Sequence, residues 1–540
     1  MSGEPNEETM TRTAHVDTFA RDRLPPIGSQ PEFFFTLPEL QYPERLNAAV
    51  ELIDTADNGA LAVINKRGQW TYGEMKSLSD RIARLLIEEE GFVPGNRVLL
   101  RGPNGAMLFA AWLGVLKAGG ILVTTMPILR PGEIRTVLER ACISHAIIDD
   151  RFSEDFEKAA ASVPSLCSVL RYRGDQGGGE LETRLASMEP GFEPIATYQE
   201  DVALIAFTSG TTGRPKGCVH YHRDVLACAD AFARTILKPK SGDRWACSAP
   251  IAFTFGLGQL LIFPFRFHGT AVTIEEPGPE PLMDAIEQWR VTTLATAPTA
   301  YKSMLGMLGG RDLSSLRTCV SAGEHLPAAT WHAWKDATGL SIIDGIGATE
   351  MMHIFISASD DDIRPGSTGR AVPGYRACVL DENAVPLAVG TGRLAVRGPT
   401  GCRYFDDERQ KLYVENGWNV TGDTYRQDED GYFWYVARSD DMIISAGYNI
   451  AAPEIENALY AHSAVAECAV VGVFCELRGQ KVKAFIVLAE GFEPGVDLAK
   501  TLQTHVKAVI APYKYPREIE FVAELPKTAT GKLQRFALRS

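Results

Sequence analysis

Residues 202 to 217 read VALIAFTSGTTGRPKG. Val202 to Phe207 is an unbroken apolar run of strand length, the pattern of a strand buried on both faces. Thr208 to Gly217 then sets two glycines and four hydroxyl side chains ahead of Lys216, with Gly217 behind it. Glycine lets backbone approach a ligand without a Cβ in the way. Free N–H groups, hydroxyls and an ammonium together suit a phosphate chain. The Gly-x-x-x-x-Gly-Lys-Ser/Thr spacing of a Walker loop is absent. On composition alone, a flexible surface loop is an equal alternative.

Upstream, strands and helices alternate. Arg97 to Leu100 is a short β-rich run, and Asn104 to Lys117 has helical length and composition. Gly119-Gly120 ends that helix, and Ile121 to Thr124 reads as the next strand. Pro131 opens a periodic segment with Ile134, Val137 and Leu138 on one face, and His145 to Ile148 is a third strand. This βαβαβ order predicts an α/β fold: a buried parallel sheet covered by helices. GDQGGG, Gly174 to Gly179, reads as a loop between such units. Near Asp440 the texture changes to a smaller α+β unit, with helices at Pro453 to Tyr460 and Leu498 to Val509 and strands at Ala469 to Val473 and Ala484 to Leu488. We therefore expect a large N-terminal domain over 1–438 and a small C-terminal domain over 439–540.

The bulk numbers agree with two domains, since 540 residues exceed one ordinary core. A formal net charge of -14 argues against general nucleic-acid binding, which needs a basic face. The apolar run Gly105 to Leu116 is too short to span a bilayer and predicts a buried helix, so no membrane partner is expected. Met1 to Ala14 is polar and acidic and does not read as a secretory signal. The cysteines number 10, with no Cys-x-x-Cys pair, which points to buried thiols in a reducing cytoplasm.

TSGTTGRPKG resembles the signature loop of the adenylate-forming enzymes, which include acyl- and aryl-CoA ligases, peptide-synthetase adenylation domains and luciferases. Further matches follow in the family's order: DGIGATE (Asp344 to Glu350), NVTGD (Asn419 to Asp423), YVARSDDMIISAG (Tyr435 to Gly447) and PKTATGKLQR (Pro526 to Arg535). The resemblance implies ATP, Mg²⁺ and CoA as reactants, and an acid joined to AMP before transfer to the thiol. It implies nucleotide contacts from Thr208, Ser209, Gly210, Thr211, Thr212 and Lys216. Ala322, Gly323, Glu324, Asp344, Gly345 and Ile346 would bound the adenine. Asp423 would take the ribose hydroxyls, with Arg438 nearby. Glu350 would hold the metal, Thr349 would contact the α-phosphate, and Lys532 would bridge acid and α-phosphate. Asp440 matches the hinge about which the small domain turns, bringing Ser445, Ala446, Gly447 and Tyr448 to line the CoA tunnel. Two positions depart from the family pattern: Ala437 replaces a common glycine, and Asn419-Val420 replaces a common aromatic.

By the same matching, Thr254, Phe255, Ala322, Gly323, Gly345, Gly347, His353 and Ile354 line the acid pocket. Small walls and apolar faces suit a flat ring, and none of these residues is a lysine or arginine that would pair a second carboxylate. FTFGLG (Phe253 to Gly258), TEMMHIF (Thr349 to Phe355), HVDTFAR (His15 to Arg21) and YNIAAPE (Tyr448 to Glu454) resemble the benzoate and 2-aminobenzoate (anthranilate) CoA ligases. The expected substrate is 2-aminobenzoate, with benzoate as the alternative and Thr254 or His353 reading the ring substituent. An ordinary core histidine, fully hydrogen-bonded, is an equal reading of His353. A carrier protein as final acceptor, and a homodimer, stay open.

Overall fold

The computed structural model describes residues 12–208, 215–438, 442–445, 448–475, 479–510, 514–527 and 533–539. The expected βαβαβ run is present as strands Arg97–Arg101, Ile121–Thr125 and His145–Asp149 with helices Ala106–Lys117 and Pro131–Arg140 between them. The first and third of these strands in the chain are buried along their whole length, polar end residues included. They belong to a six-stranded sheet, in the order Ser168–Tyr172, His145–Asp149, Arg97–Arg101, Ile121–Thr125, Val202–Thr208, Lys216–Tyr221. The first five are parallel. The last pairs antiparallel with Val202–Thr208, with Thr208 opposite Lys216.

A nine-stranded sheet carries parallel strands Arg244–Cys247, Thr293–Thr296, Thr318–Ser321 and Ile342–Gly347. Their common direction brings their carboxyl ends to one edge, where open α/β sheets bind ligands. At that edge the chain turns through Thr349–Met351 and returns antiparallel as Ile354–Ser357. A third, antiparallel sheet contains Arg376–Leu380, Gly390–Arg397, Trp418–Gln427 and Phe433–Arg438.

The C-terminal part forms its own sheet from Tyr448–Ala451, Met442–Ser445, Gly479–Leu488, Val465–Cys475 and Glu518–Phe521. Helices Ala452–Tyr460 and Val496–Val509 share its core with Ile443, Ile450 and Ile486. Lys302 Nζ donates to the Ala466 carbonyl at 2.6 Å and lies 4.4 Å from the Tyr460 ring centroid. No helix among the described residues is long and apolar enough to cross a membrane. All ten cysteines are free, and most are buried.

The buried helix expected from Gly105 to Leu116 is confirmed and extends further inward than its sequence implies. Every residue of Ala106–Lys117 is buried, including the terminal lysine. Lys117 Nζ donates to Asp80 at 2.6 Å and to Asp54 at 2.8 Å. Removing one partner of a buried ion cluster leaves uncompensated charge, at a cost of about 3–5 kcal/mol. Lys117→Met is therefore expected to lower the unfolding free energy by about that amount, read as a fall in the urea midpoint.

Candidate active site

Lys216 opens the strand Lys216–Tyr221, and its ammonium reaches across to two other parts of the chain. Its Nζ donates to Tyr404 Oη at 2.6 Å and lies 3.6 Å from Glu350 Oε1. The Tyr404 hydroxyl in turn donates to Glu350 Oε1. Burial first, then the adjacent Glu350 carboxylate, push the Tyr404 phenol far above its ordinary value, so it stays a donor. Tyr404 is a site residue that sequence reading missed; no motif marks it.

Strand alternation places Lys216, Cys218 and His220 on one face. His220 Nε2 lies 2.7 Å from the Thr349 carbonyl. Thr400 Oγ1 donates to the Met351 carbonyl at 2.7 Å, so the short turn carrying Thr349 and Glu350 is held by both flanks. Behind it, Arg403 donates to Asp224 at 2.7 Å, and both side chains are fully enclosed. Burial would raise the Asp224 carboxyl, but Arg403 and His220 outweigh it and hold it near 2. The alternation could have pointed to His220; nothing local pointed to Arg403.

Asp344 ends up at the carboxyl edge, across the sheet from Ser321. Its Oδ1 is enclosed without a partner. Burial raises its carboxyl to about 7, with the Gly345 N–H and Ser321 pulling the other way. Beyond the preceding strand, Ala322 is buried and Gly323 takes φ +91, a left-handed turn that suits glycine. His325, next to Glu324, stacks on Tyr435 at 5.5 Å. Asp423 and Arg438 face each other across an antiparallel pair, with Nη1 and Oδ1 4.0 Å apart. Asn419, one of the two departures, is a buried cross-link: it accepts from the Cys402 N–H at 2.8 Å and donates to the Val396 carbonyl at 3.0 Å. Ala437 is buried beside Thr424 in the neighbouring strand.

His353 is 2% exposed and ringed by Phe232, Phe255 and Phe263, at centroid distances of 5.4, 5.7 and 4.6 Å. Neither ring nitrogen meets full hydrogen-bond geometry with a partner among the described residues; the Phe255 backbone, a polar group acting on the ring, offsets only part of the effect of burial. The reading as a fully hydrogen-bonded core histidine is therefore set aside. Burial keeps the imidazole neutral, with its pKa lowered to about 3. Ile354, next in the chain, is buried, as is Thr254 beside Phe255, which is itself half-buried. The glycines have a packing reason of their own. A Cβ on Gly345 would meet Ile354 Cγ2 at 2.7 Å, and one on Gly347 would meet the His353 carbonyl at 2.8 Å. They allow the two antiparallel strands to close, in addition to leaving a thin wall.

Ser209, Gly210, Thr211, Thr212, Asp440, Ala446, Gly447 and Lys532 lie outside the described residues. Ser445 is buried in its strand, and Tyr448 begins the next one. The Lys532 segment is framed by an antiparallel bridge between Lys527 and Leu533 and by Arg535, which donates to Glu456 at 2.8 Å.

A model described as AMP-binding enzyme matches residues 54–404, and one described as AMP-binding enzyme C-terminal domain matches residues 454–532. The chain belongs to the AMP-binding enzyme family. Benzoate–CoA ligase of Thauera aromatica is 36% identical over 94% of this chain and 98% of that protein. The 4-hydroxybenzoate–CoA/benzoate–CoA ligase of Rhodopseudomonas palustris is 33% identical over 91% of this chain and 94% of its own. The crystal structure of the anthranilate CoA ligase AuaEII in complex with anthranoyl-AMP superposes with TM-score 0.88 at 34% identity, covering 93% of this chain and 98% of the other. As an AMP-binding enzyme the chain is an AMP-forming acid–CoA ligase, and its relatives place it among the aryl-CoA ligases. ATP and CoA are its substrates.

Asp344 generates a pH prediction. Its folded pKa, about 7, lies above the ordinary 3.8, so between these values the folded state holds a proton that the unfolded chain has lost. Stability must then fall as pH rises through this window. In the absence of nucleotide, Asp344→Asn is expected to flatten the decline of Tm between pH 5 and pH 8 relative to wild type, measured by thermal denaturation.

Proposed function

We propose that this AMP-forming ligase adenylates 2-aminobenzoate and passes the acyl group to CoA, releasing pyrophosphate and AMP. The observation that carries the ring assignment is His353. A neutral imidazole with neither nitrogen in full hydrogen-bond geometry, caged by three phenylalanines, suits an aromatic acid bearing a small polar substituent. The absence of lysine and arginine from the expected pocket argues against a second carboxylate. The likeness to the anthranilate CoA ligase AuaEII supports the same reading.

In the first half-reaction the acid's carboxylate oxygen attacks the α-phosphorus of ATP, and the bond to pyrophosphate breaks. Anion meets anion, so positive charge and alignment lower the barrier. Lys216 supplies charge at the phosphate chain, Lys532 bridges acid and α-phosphate, and Thr349 contacts the α-phosphate. The Asp344 carboxyl, unpartnered at Oδ1, accepts from the adenine amino group. Asp423 takes the ribose hydroxyls beside Arg438. Glu350 suits Mg²⁺: it is one enclosed carboxylate with no cluster of three metal-ligating side chains among the described residues, and Mg²⁺ commonly takes one or two carboxylates with substrate phosphates and water. Bound there, the ion would neutralise phosphate charge. In the second half-reaction the CoA thiolate attacks the acyl carbonyl and AMP leaves. Rotation of a domain spanning 439–540 about Asp440 withdraws Lys532 and brings Ser445 to Tyr448 alongside the adenylate. The ten free cysteines suit work in a reducing cytoplasm.

Two measurements test this reading. The enzyme is expected to form 2-aminobenzoyl-CoA with a kcat/KM at least about tenfold above that for benzoate, a typical gain for one satisfied polar contact. Equal values would remove the 2-aminobenzoate assignment, and AMP release without a CoA thioester would move the acceptor to a carrier protein. Tyr404→Phe deletes the donor to Glu350 and the acceptor for Lys216. It is expected to lower kcat/KM for ATP by about 10–100-fold, the size of a hydrogen bond to a charged group, at saturating acid and CoA.

A further inference from the structure

His353 is not alone in falling short of full hydrogen-bond geometry. Gln259 is 0% exposed, and both its amide oxygen and its amide nitrogen are without a hydrogen bond. Buried amides are nearly always paired, so two such atoms on one side chain demand a partner. The sequence offers no motif that would single this residue out.

Its position ties it to His353. The chain is continuously helical from Thr254 to Arg266, through a π-helical segment at Gly258–Ile262. Phe255, Gln259 and Phe263 are spaced four apart and therefore lie on one stripe. The two phenylalanines of that stripe are packed on the His353 ring. A Cβ built on the neighbouring Gly258 would stand 2.6 Å from His353 Nε2. Gln259 thus occupies the stripe that lies against His353. On the opposite side, Phe232 comes from a second π-helical segment, Ala229–Leu237. π-helical turns are rare and concentrate at functional sites.

The donor and acceptor inventory states what could satisfy the pair. A neutral imidazole presents one N–H and one lone pair, and a primary amide presents two N–H groups and a carbonyl. Neither side chain carries charge, so a carboxylate or ammonium substituent would arrive without a counter-ion. An amino or hydroxyl group both donates and accepts, and matches two neutral partners. An unsubstituted ring would leave all four polar atoms as they are.

We propose that Gln259 is a specificity-determining residue: with His353 it forms a polar recess in an otherwise aromatic pocket and selects aryl acids that carry an amino or hydroxyl substituent on the ring. This rests on the aryl-acid reading above and adds the residue that enforces it. Sites built to hydrogen-bond a substrate OH or NH reject the analogue lacking it far more strongly than apolar pockets reject a methylene.

The test compares benzoate with the 2-, 3- and 4-amino- and hydroxybenzoates, in wild type and in Gln259→Leu, with ATP and CoA. The ratio of kcat/KM for the best substituted acid over benzoate is expected to fall about 10–100-fold in the variant, and KM for ATP to change less than threefold. An unchanged ratio overturns the proposal and leaves Gln259 to a buried water. Should Gln259→Leu fail to fold, equilibrium binding of the same acids to the wild-type enzyme decides. Benzoate binding as tightly as every substituted acid overturns it, and tighter binding of one substituted acid that is also lost in Gln259→Met sustains it. A wild-type enzyme that activates aliphatic acids and no aryl acid would instead refute the aryl reading itself, a distinguishable result.

Discussion

Glu350 sits almost entirely out of water, and a carboxylate in that position needs partners. It has two, and each comes from a different part of the molecule. The Tyr404 hydroxyl comes from the segment between two strands of the third sheet, Gly390–Arg397 and Trp418–Gln427, and the Lys216 ammonium from the edge strand of the first. Glu350 itself lies on the turn closing the second sheet. One acid thus gathers three sheets at the point where the phosphates of ATP are proposed to lie. His220, on the same strand face as Lys216, repeats the tie one step along by contacting the Thr349 carbonyl. Behind it, Arg403 and Asp224 neutralise each other as a buried pair.

The proposed acid pocket depends on a second constraint, the close approach of backbone to backbone. Between Glu350 and His353 the chain makes a sharp reversal, with Met352 held at φ +66, a conformation that a non-glycine residue adopts only when its surroundings enforce it. Gly345 and Gly347 let the returning strand close over the first. The result presses His353 into three phenylalanines while its nitrogens stay short of full hydrogen-bond geometry. The proposed pocket would therefore pair apolar walls with a small number of unsatisfied polar atoms, the usual composition of a ligand site.

Much of this was legible in the chain. The parallel core was visible because its strands are short apolar runs and its helices have their own period; both signals are local. The nucleotide segments were visible because close backbone approach demands glycine and phosphate demands hydroxyls and a cation, again within a few residues of each other. Arg438, expected near Asp423, lies opposite it across an antiparallel pair. The illegible part is non-local. Tyr404 reaches Glu350 across 54 residues, and Arg403 reaches Asp224 across 179. Lys117 read as the polar end of a helix, yet the fold encloses it between Asp54 and Asp80.

By itself the sequence determined the class of fold and the order of its segments, which rest on residue types at short spacing; the chemistry of acid activation entered through the resemblance of those segments to the adenylate-forming enzymes. Only the tertiary structure decided which side chains hold Glu350, that the His353 ring is caged by phenylalanines, and that the Gln259 amide is buried without partners. The physical reason is the same in each case. Whether a polar atom is satisfied depends on what the folded chain brings within 3 Å of it, and no local pattern encodes that.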